Sequence, residues 1–452
     1  MLRASIAAEK LGIPSVSVVV PMFHSQSLLV ARGMGFPDLG LALYPGAIDN
    51  HSPEEVAANI GNMFDSMLET LMQPPKKQGA GAGAKTASPK DSVFEGSFDE
   101  VNDFFYRNKW TDALPIVPPT AAAVEEMLQW TDLPPDEAIA VLPMANLKAT
   151  PRKIAINAVM SGCRPEYMPV LIAAIEALGD PDYQLKDIGS TSSIKPFIVV
   201  NGPIIKQLDI NHGTSLMALG RKSNSTIGRA LGLITRNIAG FREGESWMGC
   251  FGWPGSPWVM AEDEELTPWP PYHVDRGFDR GTSTVTGMMM MNMTYQMMTA
   301  GDTAEPHLTG ICYNMGKAFG ATFLLLGEEH GSMNVFISPA NARVIAKSGY
   351  SKQAVKEYIA KNSKLTVGEI DEEFRFTLSL PHTVHSLAEE GRIPKAWDLG
   401  KNEKIPLILN PDMIHIVVCG SAERNRDLIM RATYCTPVTK EIRLPKRWPP
   451  AG

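Results

Sequence analysis

The pattern of apolar and polar positions changes period repeatedly along residues 1–72. Helical spacing predicts helices over 2–11, 26–34 and 52–71, and β-branched or apolar runs predict strands over 15–20 and 41–44. Helices that alternate with apolar strands favour a parallel sheet with helical crossovers. A helix that feeds a buried strand usually follows another strand, and none precedes the first helix here. We therefore expect residues 1–72 to form a small, incomplete Rossmann-like α/β domain.

The pattern stops at residues 73–92, which are rich in Gly, Ala, Pro and Lys and have no apolar periodicity. Such a segment predicts a flexible linker. Residues 93–452 regain the pattern and are interpreted as a larger, mixed α/β domain that binds substrate. Its predicted helices are 98–110, 121–130, 151–162, 167–178, 224–240, 338–349 and 351–363. Strands are expected within 196–203 and 321–331, and the end of the chain, 405–432, is expected to be a strand, a glycine turn and a helix.

Composition and charge exclude several classes of function. The chain has 452 residues and a net charge of −7, so nucleic acid and anionic membranes are not expected partners. No apolar run approaches the roughly 20 residues of a membrane span. Five cysteines without CxxC spacing fit reduced thiols and a cytoplasmic location.

The stretch GRKSNSTIGRALGLITRNIAG, residues 220–240, predicts an amphipathic helix that ends at Gly240 and has Asn224 or Ser225 as its N-cap. Free N–H groups and a positive dipole end favour an anion at such a terminus. The candidate substrate-binding residues here are Arg221, Asn224, Ser225, Thr226 and Arg229. The alternative is a capped, amphipathic core helix whose arginines are solvated or paired.

The stretch AEDEELTPWPPYHVDRGFDRGTST, residues 261–284, places four acids before a Pro- and Trp-rich segment and a histidine. Glu262 or Glu265 with His273 could act as general acid and base, or as ligands of a hard metal. The alternative is a surface loop with solvated acids. No spacing in the chain is diagnostic of a metal site, so none is assigned.

Three further positions are candidates for chemistry. Asn201 ends a predicted strand and is a candidate for substrate binding, and Cys250 is a candidate catalytic thiol, with a buried inert cysteine as the alternative. The segment GEEHG, 327–331, follows an apolar run, so its polar side chains are either functional or structural.

Several stretches resemble the UGSC family of (seleno)proteins, which is named for a selenocysteine-Gly-Ser-Cys motif, often Cys-Gly-Ser-Cys. SIAAEKLGIPSVSVVVPMF, GMGFPDLGLALYP and SPEEVAANI resemble the family's domain. NGPIIKQLDINHG through GRKSNSTIGRALGLI, MAEDEELTPWPPYHVDRGF and SPANARVIAKSGYSKQAVKEYIA resemble a larger domain often found with it. The resemblance implies thiol or selenol redox chemistry. The chain has no CGSC, so thiols would come from sequence preceding this chain or from a partner chain that carries the motif.

Three functions follow as expectations. The first is an oxidoreductase that cleaves a bond in a small anionic substrate reductively, with Arg221 and Arg229 orienting the anion and with Glu262 and His273 moving protons. The second is a lyase or hydrolase that uses only Glu262 and His273. The third is a noncatalytic subunit of a two-chain redox enzyme. No cofactor is assigned.

Overall fold

The computed structural model describes residues 2–74, 92–326, 331–378, 380–433 and 435–449. The predicted linker and the GEEH of the segment 327–331 lie outside the described residues, apart from residues 73, 74 and 92. The chain divides into two compact units. Unit 1 is Met1–Pro165, Leu185–Ser193 and Ala230–Pro254, and unit 2 is Glu166–Gln184, Ile194–Arg229 and Gly255–Gly452. This division differs from the expected domains 1–72 and 93–452, which remain a prediction.

Unit 1 begins with the elements that the apolar pattern predicts. Its helices and strands are α1 (Leu2–Lys10), β1 (Val16–Val19), α2 (His24–Gly33), β2 (Gly40–Leu43), α3 (Pro53–Leu71), α4 (Phe98–Arg107), α5 (Ala121–Leu128), β3 (Ala140–Leu142), β4 (Leu147–Ala149) and α6 (Pro151–Met160). Strands β1 and β2 pair in parallel. Ser52 and Glu55 form a capping box at the start of α3, and Thr120 caps α5. The α/β class is thus confirmed, whereas a Rossmann-like topology remains a prediction.

Segments that are distant in sequence complete unit 1. The Gln26 side chain of α2 donates hydrogen bonds to the carbonyl oxygens of Gly189 (3.0 Å) and Ser246 (2.9 Å). Asn146 Nδ2 donates to the carbonyl oxygen of Gly33 over 3.1 Å. The N-terminal α/β segment is therefore tied to later parts of the chain within one compact unit.

Unit 2 is built on two mixed sheets. Its helices are α7 (Met168–Gly179), α8 (Ile204–Gln207), α9 (Lys222–Ile234, of which residues 230–234 belong to unit 1), α10 (Tyr272–Asp275), α11 (Ala304–Phe319), α12 (Thr322–Leu326), α13 (Pro339–Lys347), α14 (Lys352–Asn362), α15 (Val367–Glu372) and α16 (Val384–Glu389). Its strands are β5 (Lys195–Asn201), β6 (Trp258–Ala261), β7 (Thr284–Met290), β8 (Asn292–Met293), β9 (Met297–Met298), β10 (Gly331–Ile337), β11 (Lys364–Thr366), β12 (Lys404–Pro406), β13 (Ile414–Val418), β14 (Arg426–Thr433) and β15 (Val438–Glu441).

The two sheets share one local arrangement. Strand β5 pairs in parallel with β6 and antiparallel with β7, and strand β10 pairs in parallel with β13 and antiparallel with β14. The four-stranded order is β15-β7-β5-β6, and the larger sheet has the order β13-β10-β14-β8, with β9 also on β14. The chain enters a helix through a proline after β5, at Pro203, and after β10, at Pro339. Two similar sheet edges therefore exist, and each gathers polar side chains.

Two predicted elements of unit 2 are wrong. The apolar run in 321–331 is not a strand: Thr322–Leu326 is the helix α12, and the strand β10 starts at Gly331. Residues 426–433 are the strand β14 rather than a helix. Strand β14 lies between β10 and β8. Its sheet neighbours override a local pattern that is compatible with a helix.

The helical hairpin at 338–363 is confirmed as α13 and α14. The side chain of Ser338 accepts a hydrogen bond from Asn341 N, and that of Ser351 accepts one from Ala354 N, so both serines are the predicted N-caps. Gly349 follows α13 with a φ of +91°, the left-handed conformation that favours glycine. Within the described residues, every helix is too short or too polar to cross a bilayer.

Candidate functional site

The carboxyl ends of two parallel strands place the candidate residues of the acid-rich loop in unit 2. Val200 of β5 lies opposite Ala261 of β6, so Asn201 and Glu262 leave neighbouring strands at the same sheet edge. The carboxyl end of β13 meets this edge, because Asp263 N donates to the carbonyl oxygen of Val418 over 2.8 Å. Active-site groups of α/β proteins commonly lie at such edges.

Glu262 is a fully buried carboxylate whose first oxygen has little support. Its Oε2 accepts hydrogen bonds from Asn201 Nδ2 at 2.7 Å and Tyr272 N at 2.6 Å. In the part of the chain that the structure describes, Oε1 has only Val418 N, at 3.4 Å. Burial raises the pKa of Glu262, although the charge of Lys352 and the hydrogen bonds oppose this shift. Glu262 therefore retains a proton to higher pH than an ordinary glutamate.

Asn201 joins Glu262 to a second carboxylate. Its Nδ2 also donates to Glu264 Oε1 at 2.9 Å, and the same oxygen accepts from Gly202 N at 2.6 Å. Glu264 is the partly exposed member of the group, with 18% of its side chain exposed. His273, completely buried in α10, has its Nδ1 3.5 Å from Glu264 Oε1. Asn201, Glu262, Glu264 and His273 thus form one connected group.

Several buried polar atoms of this group have no hydrogen-bond partner among the described residues. They are Asn201 Oδ1, both ring nitrogens of His273 and Thr284 Oγ1. Thr284 faces Asn201 in the β5–β7 register, which places the two side chains on the same face of the sheet. Buried polar groups almost always have partners. We call Asn201, Glu262, Glu264, His273 and Thr284 the β5–β6 cluster; its open atoms are available to a polar partner, either water or a bound molecule.

Asp263 points to a different partner from its two acidic neighbours. Its Oδ2 lies 3.4 Å from His212 Nδ1, and its Oδ1 accepts from Leu266 N at 3.1 Å. Burial would raise the pKa of Asp263, but the contact with His212 and the backbone hydrogen bonds lower it overall. The same contact raises the pKa of His212. This pair links the acid-rich loop to the loop that carries His212, beside the β5–β6 cluster.

A neutral histidine lies behind the cluster. Tyr272 OH and His415 Nδ1 are 3.1 Å apart, and both side chains are buried. Burial, together with the charges of Lys356 and Arg276, lowers the pKa of His415 to about 3. His415 is therefore uncharged at neutral pH. It contacts the side chain of Tyr272, whose backbone N–H donates a hydrogen bond to Glu262.

The structure places the predicted anion-binding residues in mainly structural contacts. Arg221 forms an exposed ion pair with Asp209, with Nη1–Oδ distances of 2.6 and 2.8 Å. Asn224 is buried and holds Val259 O and Asn211 N. Ser225 Oγ accepts from Gly220 N at 3.4 Å, and Thr226 Oγ1 donates to Lys222 O at 2.7 Å.

The predicted start of this helix is wrong, since α9 begins at Lys222 and not after Asn224. Asn224 lies inside the first turn, where its side chain bonds to Asn211 and to Val259 of β6 instead of capping the helix. The predicted end at Gly240 is confirmed, because a π-helical turn, Thr235–Ala239, carries the helix to a left-handed Gly240. Arg229 also lies in α9 and has an interaction partner.

Cys250 is exposed, so the alternative of a buried inert thiol is wrong. It lies in unit 1, whereas the β5–β6 cluster lies in unit 2. Its backbone N donates to Thr191 O at 3.0 Å. Glu265 of the acid run is exposed and pairs with Lys206, whereas the acid beside His273 is Glu264, 3.5 Å from Nδ1; Glu262 joins this pair through Asn201.

Sequence reasoning missed three members of this neighbourhood: Glu264, Thr284 and His212. The acid run 262–265 is recognisable in the sequence, but no sequence feature distinguishes Glu264 from the other three acids. Thr284 and His212 carry no local signal, because strand register and a loop contact bring them in. Among the described residues, no group of three or more His, Cys, Asp or Glu side chains could hold a metal ion.

Comparison with known proteins gives a match for the first segment. The model of the UGSC family matches residues 1–73. Neither the curated proteins nor the solved structures give a match. The resemblance proposed for the later stretches remains a prediction. Over its N-terminal segment, residues 1–73, this chain is therefore similar to the UGSC family.

Proposed function

We propose that the protein is an enzyme that moves protons on a small molecule bound at the β5–β6 cluster, as a lyase or hydrolase does. The observation that carries the proposal is His273, a fully buried imidazole whose two ring nitrogens have no hydrogen-bond partner among the described residues. An imidazole beside a protonatable carboxyl group is a common general acid–base pair.

The two groups have complementary roles in this proposal. Glu262, whose pKa is raised, delivers its proton to the leaving atom of the substrate. His273 takes a proton from the substrate or from an attacking water, so that one proton enters and one leaves the bound molecule. Asn201 and Glu264 hold the reacting groups in place, since Asn201 Nδ2 bridges the two carboxylates.

The test compares E262Q, H273A and a matched control, E265Q, in turnover assays of the full chain on panels of hydrolase and lyase substrates. Gln at 262 keeps an oxygen for Asn201 and Tyr272 but cannot transfer a carboxyl proton. We expect kcat to fall by roughly 10²- to 10⁴-fold in E262Q and H273A. E265Q alters an exposed acid of the same loop and should retain turnover. Wild-type kcat in E262Q and H273A would refute the proposal.

A second candidate is supported by the family match of residues 1–73. It is the reductive cleavage of a bond in a small anionic substrate, in which a dithiol of another chain is oxidised to a disulfide and the substrate takes up two electrons and two protons. In the same assays, product formation that requires an added dithiol, that oxidises one dithiol per turnover and that persists in E262Q would favour this reaction over proton transfer alone.

A further inference from the structure

The open atoms of the β5–β6 cluster include two hydrogen-bond acceptors, beside one ring nitrogen that donates and the Thr284 hydroxyl, which can do both. Asn201 Oδ1 can only accept, and in a neutral His273 one ring nitrogen accepts. The amide donor of Asn201 is already engaged, because Nδ2 donates to both Glu262 and Glu264. A molecule that satisfies this cluster must therefore bring several N–H or O–H donors of its own.

The acidic side chains around the cluster also favour a ligand that brings hydrogen-bond donors. Residues 262–265 are four consecutive acids, and the nearby basic side chains pair with acids other than Glu264: His212 contacts Asp263, Lys206 pairs with Glu265, and Lys352 pairs with Asp275. Among the described residues, Glu264 has no lysine or arginine within ion-pair distance, and its one basic neighbour is His273. A carboxylate in this position attracts a cation.

We propose that the β5–β6 cluster recognises its substrate through a protonated nitrogen, as in a primary amine, and this inference rests on the proposed function. The ammonium N–H groups donate to Asn201 Oδ1 and to Glu264. A ring nitrogen of His273 then faces the atoms next to the ammonium carbon. An organic cation fits better than a metal ion, because no metal-holding group of side chains occurs in the described residues. The proposed substrate group is positively charged, whereas Arg221 and Arg229 predict a negatively charged substrate.

Glu264 is the member of the β5–β6 cluster that reaches solvent. Asn201, Glu262, His273 and Thr284 are all at most 1% exposed, whereas the Glu264 side chain is 18% exposed. Glu264 therefore lies where a ligand passes from water to the buried acceptors. Removing the charge of Glu264 should therefore weaken cation binding and leave the buried side chains in place.

The experiment measures binding of two small probes of equal size and opposite charge, n-propylammonium and propionate, to the full chain by ligand-observed NMR at neutral pH. We expect n-propylammonium to bind and propionate not to bind. The E264Q variant should weaken n-propylammonium binding about tenfold or more, the scale of one lost charge-assisted hydrogen bond. The matched variant E265Q should change it less than twofold, and circular dichroism checks that both variants fold.

The possible results distinguish a failure of the cation proposal from a failure of the proposed function. If propionate binds, and H273A or E264Q abolishes its binding, the cation is wrong but the proposed site holds. If n-propylammonium binds equally to wild type, E264Q and H273A, both the cation and the proposed site fail. If neither probe binds at concentrations up to ~100 mM, where even millimolar affinity is visible, the cation inference is overturned. The turnover of H273A then decides the proposed function separately.

Discussion

Two buried carboxylates in unit 2 occupy similar sheet edges but have different surroundings. Glu262 follows β6, and Asp427 lies at the start of β14, beside the carboxyl end of β10. Each is 1% exposed and accepts a hydrogen bond from an asparagine side chain, from Asn201 and Asn341 respectively, at 2.7 Å. Each has a histidine in its neighbourhood, His273 in the first case and His307 in the second.

The two carboxylates differ in how many of the hydrogen-bonding atoms around them have a partner. Asp427 Oδ1 accepts from Ser338 N at 3.0 Å, and Asn341 Nδ2 reaches both Asp427 Oδ2 and Thr299 Oγ1. His307 Nδ1 lies 2.6 Å from Thr299 Oγ1, and its Nε2 lies 3.1 Å from Gly301 O. We call Thr299, His307, Ser338, Asn341 and Asp427 the β10–β14 cluster.

The comparison separates a structural network from a candidate binding site. In the β10–β14 cluster the ring nitrogens and the carboxylate oxygens all have partners, so the network locks β9, α11, α13 and β14 together. In the β5–β6 cluster the imidazole has none among the described residues. Residue types do not distinguish the two clusters, and neither does the asparagine oxygen, since Asn341 Oδ1 is as open as Asn201 Oδ1. The two unused ring nitrogens of His273 make the difference.

The largest expected effect concerns the pH dependence of stability at Asp427. Burial raises the pKa of Asp427 to about 6, against the opposing hydrogen bonds from Ser338 and Asn341 and the charge of His307. Between the unfolded pKa near 3.9 and the folded pKa the folded state holds more protons. Stability from this group is therefore complete below pH 4 and is lost as the pH rises through 6, by about 3 kcal/mol.

The D427N variant isolates this contribution, because asparagine does not titrate. Urea denaturation at a series of pH values gives the free energy of unfolding of the wild type minus that of D427N. This difference should fall by about 3 kcal/mol from pH 4 to pH 7. A flat difference would show that Asp427 titrates normally in the folded protein. Of the two carboxylates, Glu262 alone would then have a raised pKa.

The apolar pattern predicts much of this fold, for identifiable reasons. The elements of residues 2–71 and the hairpin α13–α14 carry local signals: Ser52, Ser338 and Ser351 as caps, and Gly12 and Gly349 as stops. The strand β14 and the helix α12 carry ambiguous local signals, and their sheet and core neighbours decide their structure. No local pattern shows the pairing of β5 with β7, which joins residues more than 80 positions apart.

The candidate site was predictable only in part. Glu262 and His273 are candidates because of the residue types of the acid-, Pro- and Trp-rich loop, and Asn201 because it ends a predicted strand; the structure connects the three through Glu264. The residues 221–229 were chosen from a helix terminus, but Asp209 neutralises Arg221 and loop contacts use Asn224. Local sequence shows which side chains can react or bind, but long-range contacts decide which of their atoms remain available.

The smallest expected effect compares the two histidines directly. H273A and H307A each remove a fully buried imidazole, so the loss of packing is similar in both. H307A also breaks the hydrogen bonds to Thr299 Oγ1 and Gly301 O, each of which contributes about 0.5–1.5 kcal/mol. We therefore expect H307A to lower the free energy of unfolding by about 1–2 kcal/mol more than H273A does, measured by urea denaturation at neutral pH. An equal loss, or a larger loss in H273A, would mean that the ring of His273 is held by hydrogen bonds in the folded protein. The β5–β6 cluster would then be a structural network like the one around Asp427.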